Sequence, residues 1–276
     1  MSVQIAQLSA YLFGRSAAGL DKWWSMVGRT YTDAPMTPAL RLCDFPVNTG
    51  HARWSSFSPF VLLVERALRV AKLEFKHEQV NMMKLNALNP VGQLPVLFIG
   101  DEKVPDSTNI LHRIEGQLAP GSLTHGLDAR GVAEAWLWEE FADTALYPQV
   151  LATRWADDRG WPVPRDAFFG GLPPVVRTVI ATVSRRKAMA SLVGRDFTRA
   201  GLPACEARLF RVLDHLEARA PEQGFWLGDH VTVADLGLFA QLHSMRLPDT
   251  AFRAADVAKR ARLSAWLDRV DAATSA

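Results

Sequence analysis

The sequence predicts an α/β domain followed by an all-helical one, and three observations carry that expectation. Between residues 38 and 118 short apolar runs alternate with strongly periodic helix, and beyond them helical stripes continue almost to the C-terminus. The two stretches are separated by Ala119-Pro120-Gly121-Ser122, a turn-rich break. At 276 residues the chain exceeds the size at which one core usually stops growing, and 49% hydrophobic residues are ample for two interiors.

Residues 1–37 read as an N-terminal extension. Their apolar run is short and broken by Arg15, Asp21 and Lys22, which argues against a membrane span. No positive charge precedes Arg15, as a secretory signal would want. Trp23-Trp24 is read as packing onto the helical domain rather than as an interfacial segment. Pro38 to Phe45 then resembles a short strand. Ser58-Pro59 opens a strong helix carrying Phe60, Leu63, Val64, Ala67, Leu68 and Ala71 at helical spacing, with serine as N-cap and proline at the first helical position. Leu73 to Val80 resembles a second strand. Pro95 precedes the apolar run Val96 to Ile99, and because proline cannot donate to a ladder it marks a strand start or edge. Two short strands turn at Gly100-Asp101. Ile110, Leu111, Ile114 and Leu118 follow one buried helical stripe, with Asp106-Ser107 at its N-terminal end. Strand, helix, strand, proline, two strands and helix is the order of a thioredoxin-like domain.

The second half reads as helices marked by stripes. Val132, Ala135, Trp136, Glu139 and Leu146 belong to the first, and Val175, Val176, Val179, Ile180 and Val183 to another. Cys205, Leu209, Val212, Leu213 and Leu216 mark a third, and Leu263, Trp266, Leu267 and Val270 the last. Trp155 to Pro174 is longer than an ordinary helix connection and is expected to cover or shape a pocket. Thr232-x-x-Asp235 before an apolar helix is a capping box, with Val231 and Leu236 placed as its hydrophobic staple.

Two local features predict a site for a small peptide-like molecule with a free carboxylate. A cis bond is affordable at Leu94-Pro95, and it would turn the backbone N–H and C=O of Leu94 outward to pair with an extended peptide. The N-terminus of the helix at Asp106-Ser107 offers unpaired N–H groups and a partial positive charge, to which the Ser107 hydroxyl adds a donor.

Ser55-Ser56-Phe57-Ser58-Pro59-Phe60, Gln93-Leu94-Pro95 and Asp106-Ser107 together resemble the N-terminal domain of cytosolic glutathione transferases, over residues 38 to 118. Thr232-x-x-Asp235 resembles the capping box of their helical domain. The resemblance implies the glutathione transferase fold, with a thioredoxin-like glutathione-binding domain at residues 38–120 and an all-helical domain at residues 121–276. It also implies that Gln93, Leu94 and Pro95 hold the cysteinyl backbone of glutathione while Asp106 and Ser107 receive its γ-glutamyl end. The implied activity is conjugation or transfer of the glutathione thiol to a small hydrophobic electrophile. Glutathione is then the co-substrate, and a cytoplasmic homodimer is expected.

Such chemistry needs a thiolate, because the thiolate is the nucleophile. A hydroxyl donor together with the field of a helix N-terminus favours the anion. Ser58, where omega-type enzymes carry cysteine, and Ser55, where beta-type enzymes carry theirs, are the candidates. Ser58 is preferred slightly, although it also serves as a plain N-cap. Trp136, Phe141 and Trp155 are the candidates for lining the electrophile site. The opposing reading is a non-catalytic protein of the metaxin-like or failed-axon-connections branch, which the extension, the long helical half and Val193-Gly194-Arg195 also resemble.

Composition excludes other classes. A net charge of +2 is far from the concentrated basic footprint of a nucleic-acid binder. Arg185-Arg186-Lys187 with Arg195 is read as a solvated helix face in preference to an anion site. The histidines show no H-x-x-x-H spacing and there is no C-x-x-C, so no metal site is expected. Cys43 and Cys205 sit in apolar patterns, as free cysteines in a reducing compartment do, and neither lies at a helix start where a redox thiol would sit.

Overall fold

The computed structural model describes residues 38–47, 56–246 and 250–275. Strands β1 (Leu40–Asp44), β2 (Phe75–Gln79), β3 (Val96–Ile99) and β4 (Glu102–Pro105) form one sheet in the order β2-β1-β3-β4. β1 and β2 are parallel, with Leu40 opposite Phe75, whereas β3 runs antiparallel to both β1 and β4. A parallel pair needs a crossover, and helix α1 (Pro59–Val70) supplies it. Ser58 caps α1 by accepting the Val61 N–H at 3.4 Å, and Pro59 stands at the first helical position, as the sequence predicted. A short helix α2 (Leu85–Leu88) leads to the loop before β3. Helix α3 (Ser107–Arg113) follows β4 and continues as a π-helical turn through Leu118; Ile110, Leu111 and Ile114 are fully buried.

The rest of the chain is helical: α4 (Ala129–Phe141), α5 (Tyr147–Leu151), α6 (Pro162–Phe169), α7 (Pro174–Gly194), α8 (Leu202–Arg219), α9 (Val233–His243), α10 (Ala251–Ala258) and α11 (Ala261–Thr274). The chain therefore joins a thioredoxin-like sheet-and-helix half to an all-helical half. π-helical turns at Ala142–Leu146 and Ala152–Ala156 make α4 and α5 one continuous rod. α9 is buried at every residue, as a helix apolar on all sides must be, and it packs against α4, α1 and α11. Its Gly237 meets α4 so closely that a Cβ there would stand 3.1 Å from the Glu139 Cα. The Thr232–Asp235 capping box forms at the start of α9.

Two helical expectations are modified. Trp155 to Pro174 is not a plain connection, because α6 forms inside it with Pro162 at its first turn. The stripe Val175, Val176, Val179, Ile180, Val183 does lie on a helix, α7, but it faces outward, with Val175 78% exposed. α7 packs instead through Ala181, Ala188 and Leu192. Periodicity located the helix without showing which side met a neighbour. Among the described residues no helix is long and apolar enough to cross a membrane.

Candidate active site

The loop before β3 is built to present Leu94. Asn89 is buried and bonds across the loop, its side-chain amide donating to the Gln93 carbonyl at 2.9 Å and its oxygen accepting from the Val91 N–H at 3.1 Å. Gly92 adopts a φ of +69°, a conformation that side chains resist, and a Cβ there would meet the Asn86 side chain at 2.9 Å. The Leu94-Pro95 bond is cis. Among the described residues no backbone group pairs with the N–H or C=O of Leu94.

The second half of the site is tied to the first. The Asp106 N–H donates to the Pro95 carbonyl at 3.3 Å, which sets the start of α3 beside the loop. Asp106 caps α3 by accepting the Asn109 N–H at 3.1 Å, and it holds a φ of +76°, a backbone strain of the kind found at ligand sites. Ser107 is buried next to it.

Ser58 stands on an ordered relay. The carboxylate of buried Asp44, at the end of β1, accepts the Ser56 hydroxyl at 2.8 Å, and the Ser56 oxygen accepts the Ser58 N–H at 3.0 Å. Capping α1 uses an acceptor lone pair of the Ser58 oxygen and leaves its O–H to donate. A serine that caps a helix can therefore still donate to a ligand. His77 on β2 approaches the other Asp44 oxygen at 3.1 Å, and this hydrogen bond raises the imidazole above its usual range, partly offset by burial. A raised histidine contributes stability that is complete below its ordinary pKa and is lost as pH rises through the folded value. His77→Gln is expected to lower the melting temperature slightly at pH 6 and to matter less as pH rises through the raised value. Because the ring is partly exposed, the difference should stay under about 1 kcal/mol.

Ser58, Gln93, Leu94, Pro95, Asp106 and Ser107 all line one cleft of about 870 Å³. Ser55 lies outside the described residues. Trp155 reaches the cleft, forming an aromatic wall with Phe45, Phe57 and Phe168; Phe168 stands edge-on to Phe57 at 5.2 Å and to Phe45 at 5.6 Å. Trp136 and Phe141 lie elsewhere. Trp136 stacks on His112 at 4.0 Å, and Phe141 faces a separate apolar groove of about 500 Å³ between α4 and α8.

The basic patch divides. Arg185 is consumed by the Trp155 and Ala156 carbonyls and by Asp158, whereas Lys187 and Ser191 of α7 and Arg195 at its C-cap, spaced four apart, line the cleft. The reading of the whole patch as a plain solvated face is corrected to that extent. Neither cysteine is in the cleft, and burial pushes Cys43 up to about 11. Among the described residues no three histidine, cysteine or acidic side chains converge as metal ligands would.

Sequence reasoning missed Tyr147, Asp143 and Arg154, which also line the cleft. Tyr147 packs its ring on Phe60 at 4.6 Å, and burial raises its phenol so that it stays protonated. Asp143 is raised by burial and by the field of Asp106, against the opposing field of Arg195. Arg154 is buried, with burial lowering its guanidinium to about 10. The available signal was a lone arginine in the run Val150-Leu151-Ala152-Thr153-Arg154-Trp155-Ala156.

A thioredoxin-like domain joined to a helical one, with a cleft bounded by a cis-proline loop and a helix N-terminus, defines a class of proteins. The glutathione S-transferase N-terminal domain family matches residues 59–160, and the glutathione S-transferase C-terminal domain family matches residues 199–269. Glutathione S-transferase F10 of Arabidopsis thaliana is 25% identical over 232 residues, spanning 78% of this chain and 87% of that protein. The structure of glutathione S-transferase III in its apo form superposes with a TM-score of 0.53 at 23% identity, over 84% of this chain and 91% of that one. A glutathione transferase homolog from Drosophila mojavensis with bound glutathione gives a TM-score of 0.51 at 20% identity, over 84% and 87% of the two chains. The chain belongs to the glutathione transferase superfamily.

Proposed function

We infer that this glutathione transferase-like enzyme binds glutathione along the Leu94 backbone with its γ-glutamyl end at Asp106 and Ser107, and transfers the activated thiol to a small hydrophobic electrophile. The observation that carries the reading is that loop, helix tip and Ser58, distant in sequence, share one cleft. The Leu94 N–H and C=O pair with the cysteinyl residue as an added strand does. The α-carboxylate of the γ-glutamyl group takes the α3 amides and the Ser107 hydroxyl, and its ammonium group faces Asp106 and Asp143. Ser58 donates to the sulfur. The electrophile then lies against Phe45, Phe57, Trp155 and Phe168, where its reacting carbon meets the sulfur and the leaving group departs with its bonding electrons.

On this reading residues 38–120 are the glutathione-binding domain and residues 121–276 the helical domain, with residues 1–37 an extension. A homodimer in the cytoplasm is proposed with it, and light scattering of the purified chain together with cell fractionation tests both. The non-catalytic alternative is not favoured, since a relative aligned over 78% of the chain is named as a transferase.

Millimolar glutathione is expected to raise the melting temperature, as a ligand of the folded state alone must. Ser58→Ala should keep this protection and lose about 10²-fold in turnover of a chromogenic electrophile, a loss typical of removing one donor to a developing anion. A melting curve indifferent to glutathione would remove the reading, and unchanged turnover in Ser58→Ala would remove the serine mechanism.

A further inference from the structure

Arg154 carries a full charge into the interior with no acidic partner among the described residues. Only 4% of it is exposed, and its guanidinium is held by carbonyls alone: Nη1 donates to Phe57 at 2.7 Å and Nη2 to Ser244 at 3.0 Å. Its Nε is buried with no partner among the described residues, and its guanidinium carbon stands 4.2 Å from the Phe57 ring centroid. Buried charges are normally paired, because leaving water is costly, and carbonyl dipoles solvate a cation without neutralising it. This one lines the cleft, and its tether to the Phe57 carbonyl places it next to the Ser58 cap. A ligand anion in the cleft would supply the partner that carbonyls do not.

We propose that the missing anion is the sulfur of bound glutathione, so that Arg154 supplies the positive field that holds the thiolate while the Ser58 hydroxyl orients it. The proposal rests on the functional reading above. The other charged and titratable groups around the cleft are Tyr147, Asp106, Asp143, Lys187 and Arg195. Asp106 and Asp143 act against an anion, and of the cations Arg154 is the one withdrawn from solvent, where a charge is screened least. The step balances simply: the proton of the S–H bond passes to solvent, the electron pair stays on sulfur, and no bond forms at the arginine. Arg154 is a positioning and electrostatic residue rather than a general base, since guanidinium does not give up its proton.

The test titrates the ultraviolet absorbance of enzyme-bound thiolate in the full-length protein, beside turnover against pH. In the wild type the bound thiol should titrate below an ordinary thiol. Arg154→Met should raise that pKa by about 1 to 3 units, the effect of removing a nearby opposite charge. Turnover at neutral pH should fall at least about tenfold and recover at alkaline pH. Arg154→Lys should keep most of the depression, and glutathione affinity at pH 6, where the thiol is neutral, should change little in either variant. Should Arg154→Met fail to fold, Ser58→Ala decides: the proposal requires that its bound thiol stay depressed. A folded Arg154→Met that binds glutathione and titrates like the wild type, or a Ser58→Ala whose thiol returns fully to the ordinary value, overturns the proposal. A wild type that binds no glutathione overturns the functional reading itself.

Discussion

Asp235→Ala is expected to cost about 3 to 5 kcal/mol, since each stranded buried donor costs about 1 to 3 kcal/mol, enough to remove much of the stability of a typical domain. This carboxylate is completely buried and accepts four hydrogen bonds from three directions. The Trp226 N–H reaches it at 2.7 Å, the Thr232 N–H and hydroxyl at 3.0 Å each, and the Trp266 indole N–H at 3.0 Å. It therefore ties the start of α9 both to the turn before it and to α11. Those bonds oppose the penalty of burying the charge, although burial still dominates and raises the carboxyl above its usual range. Truncation strands four donors in a core where Trp226 and Trp266 pack at 5.0 Å. Asp235→Asn should be milder, since it keeps an acceptor but sets an NH₂ against donors. Urea midpoints of the three proteins check this, and a shift under about 1 kcal/mol for alanine would contradict the role assigned to the network.

Glu139→Gln is expected to do the opposite, stabilising the protein at alkaline pH. Burial raises the Glu139 carboxyl to about 7, helped by the nearby Asp143 charge and opposed by the Thr108 hydroxyl, which donates to it at 3.2 Å. A carboxyl raised in the folded state binds a proton that the unfolded chain has already released. Stability therefore falls as pH climbs from about 4.5 to about 7, and the penalty is complete above that. At one pKa unit per about 1.4 kcal/mol, the wild type should lose up to about 3 kcal/mol across this window. Glutamine keeps the shape and the acceptor for Thr108 but has no charge to bury. Calorimetry should find the variant close to wild type at pH 5 and several degrees more stable at pH 8. Equal melting temperatures at pH 8 would mean that water or a rearrangement relieves the carboxylate.

The strand-helix order of the first half was legible because its signals are local. Ser58-Pro59 is a cap and a first-turn proline within two residues, Pro95 stands before a four-residue strand, and the Ile110-Leu111-Ile114 stripe is a period any helix shows. The same locality explains the gaps. Periodicity placed Trp136 on a covered face but not what covers it, which is His112 rather than a substrate cleft. It placed the α7 valines on a helix, while the inward choice of Ala181 and Leu192 depended on α7 lying along the α5 rod. Arg154 was invisible for a stronger reason: its meaning comes from Phe57 and Ser244, some ninety residues away on either side. Single residues that draw their role from distant carbonyls leave no spacing to read.

Residues 161–198 fall between the two family matches, yet from them Phe168, Lys187, Ser191 and Arg195 form one side of the cleft. The loop and helix tip on one side of the cleft and the surface opposite them are thus written in separable stretches of chain. Exchange of α6 and α7 removes no hydrogen bond of the Asp44–Ser56–Ser58 relay or of the Asp235 knot, so the lining of the cleft can vary while those anchors hold.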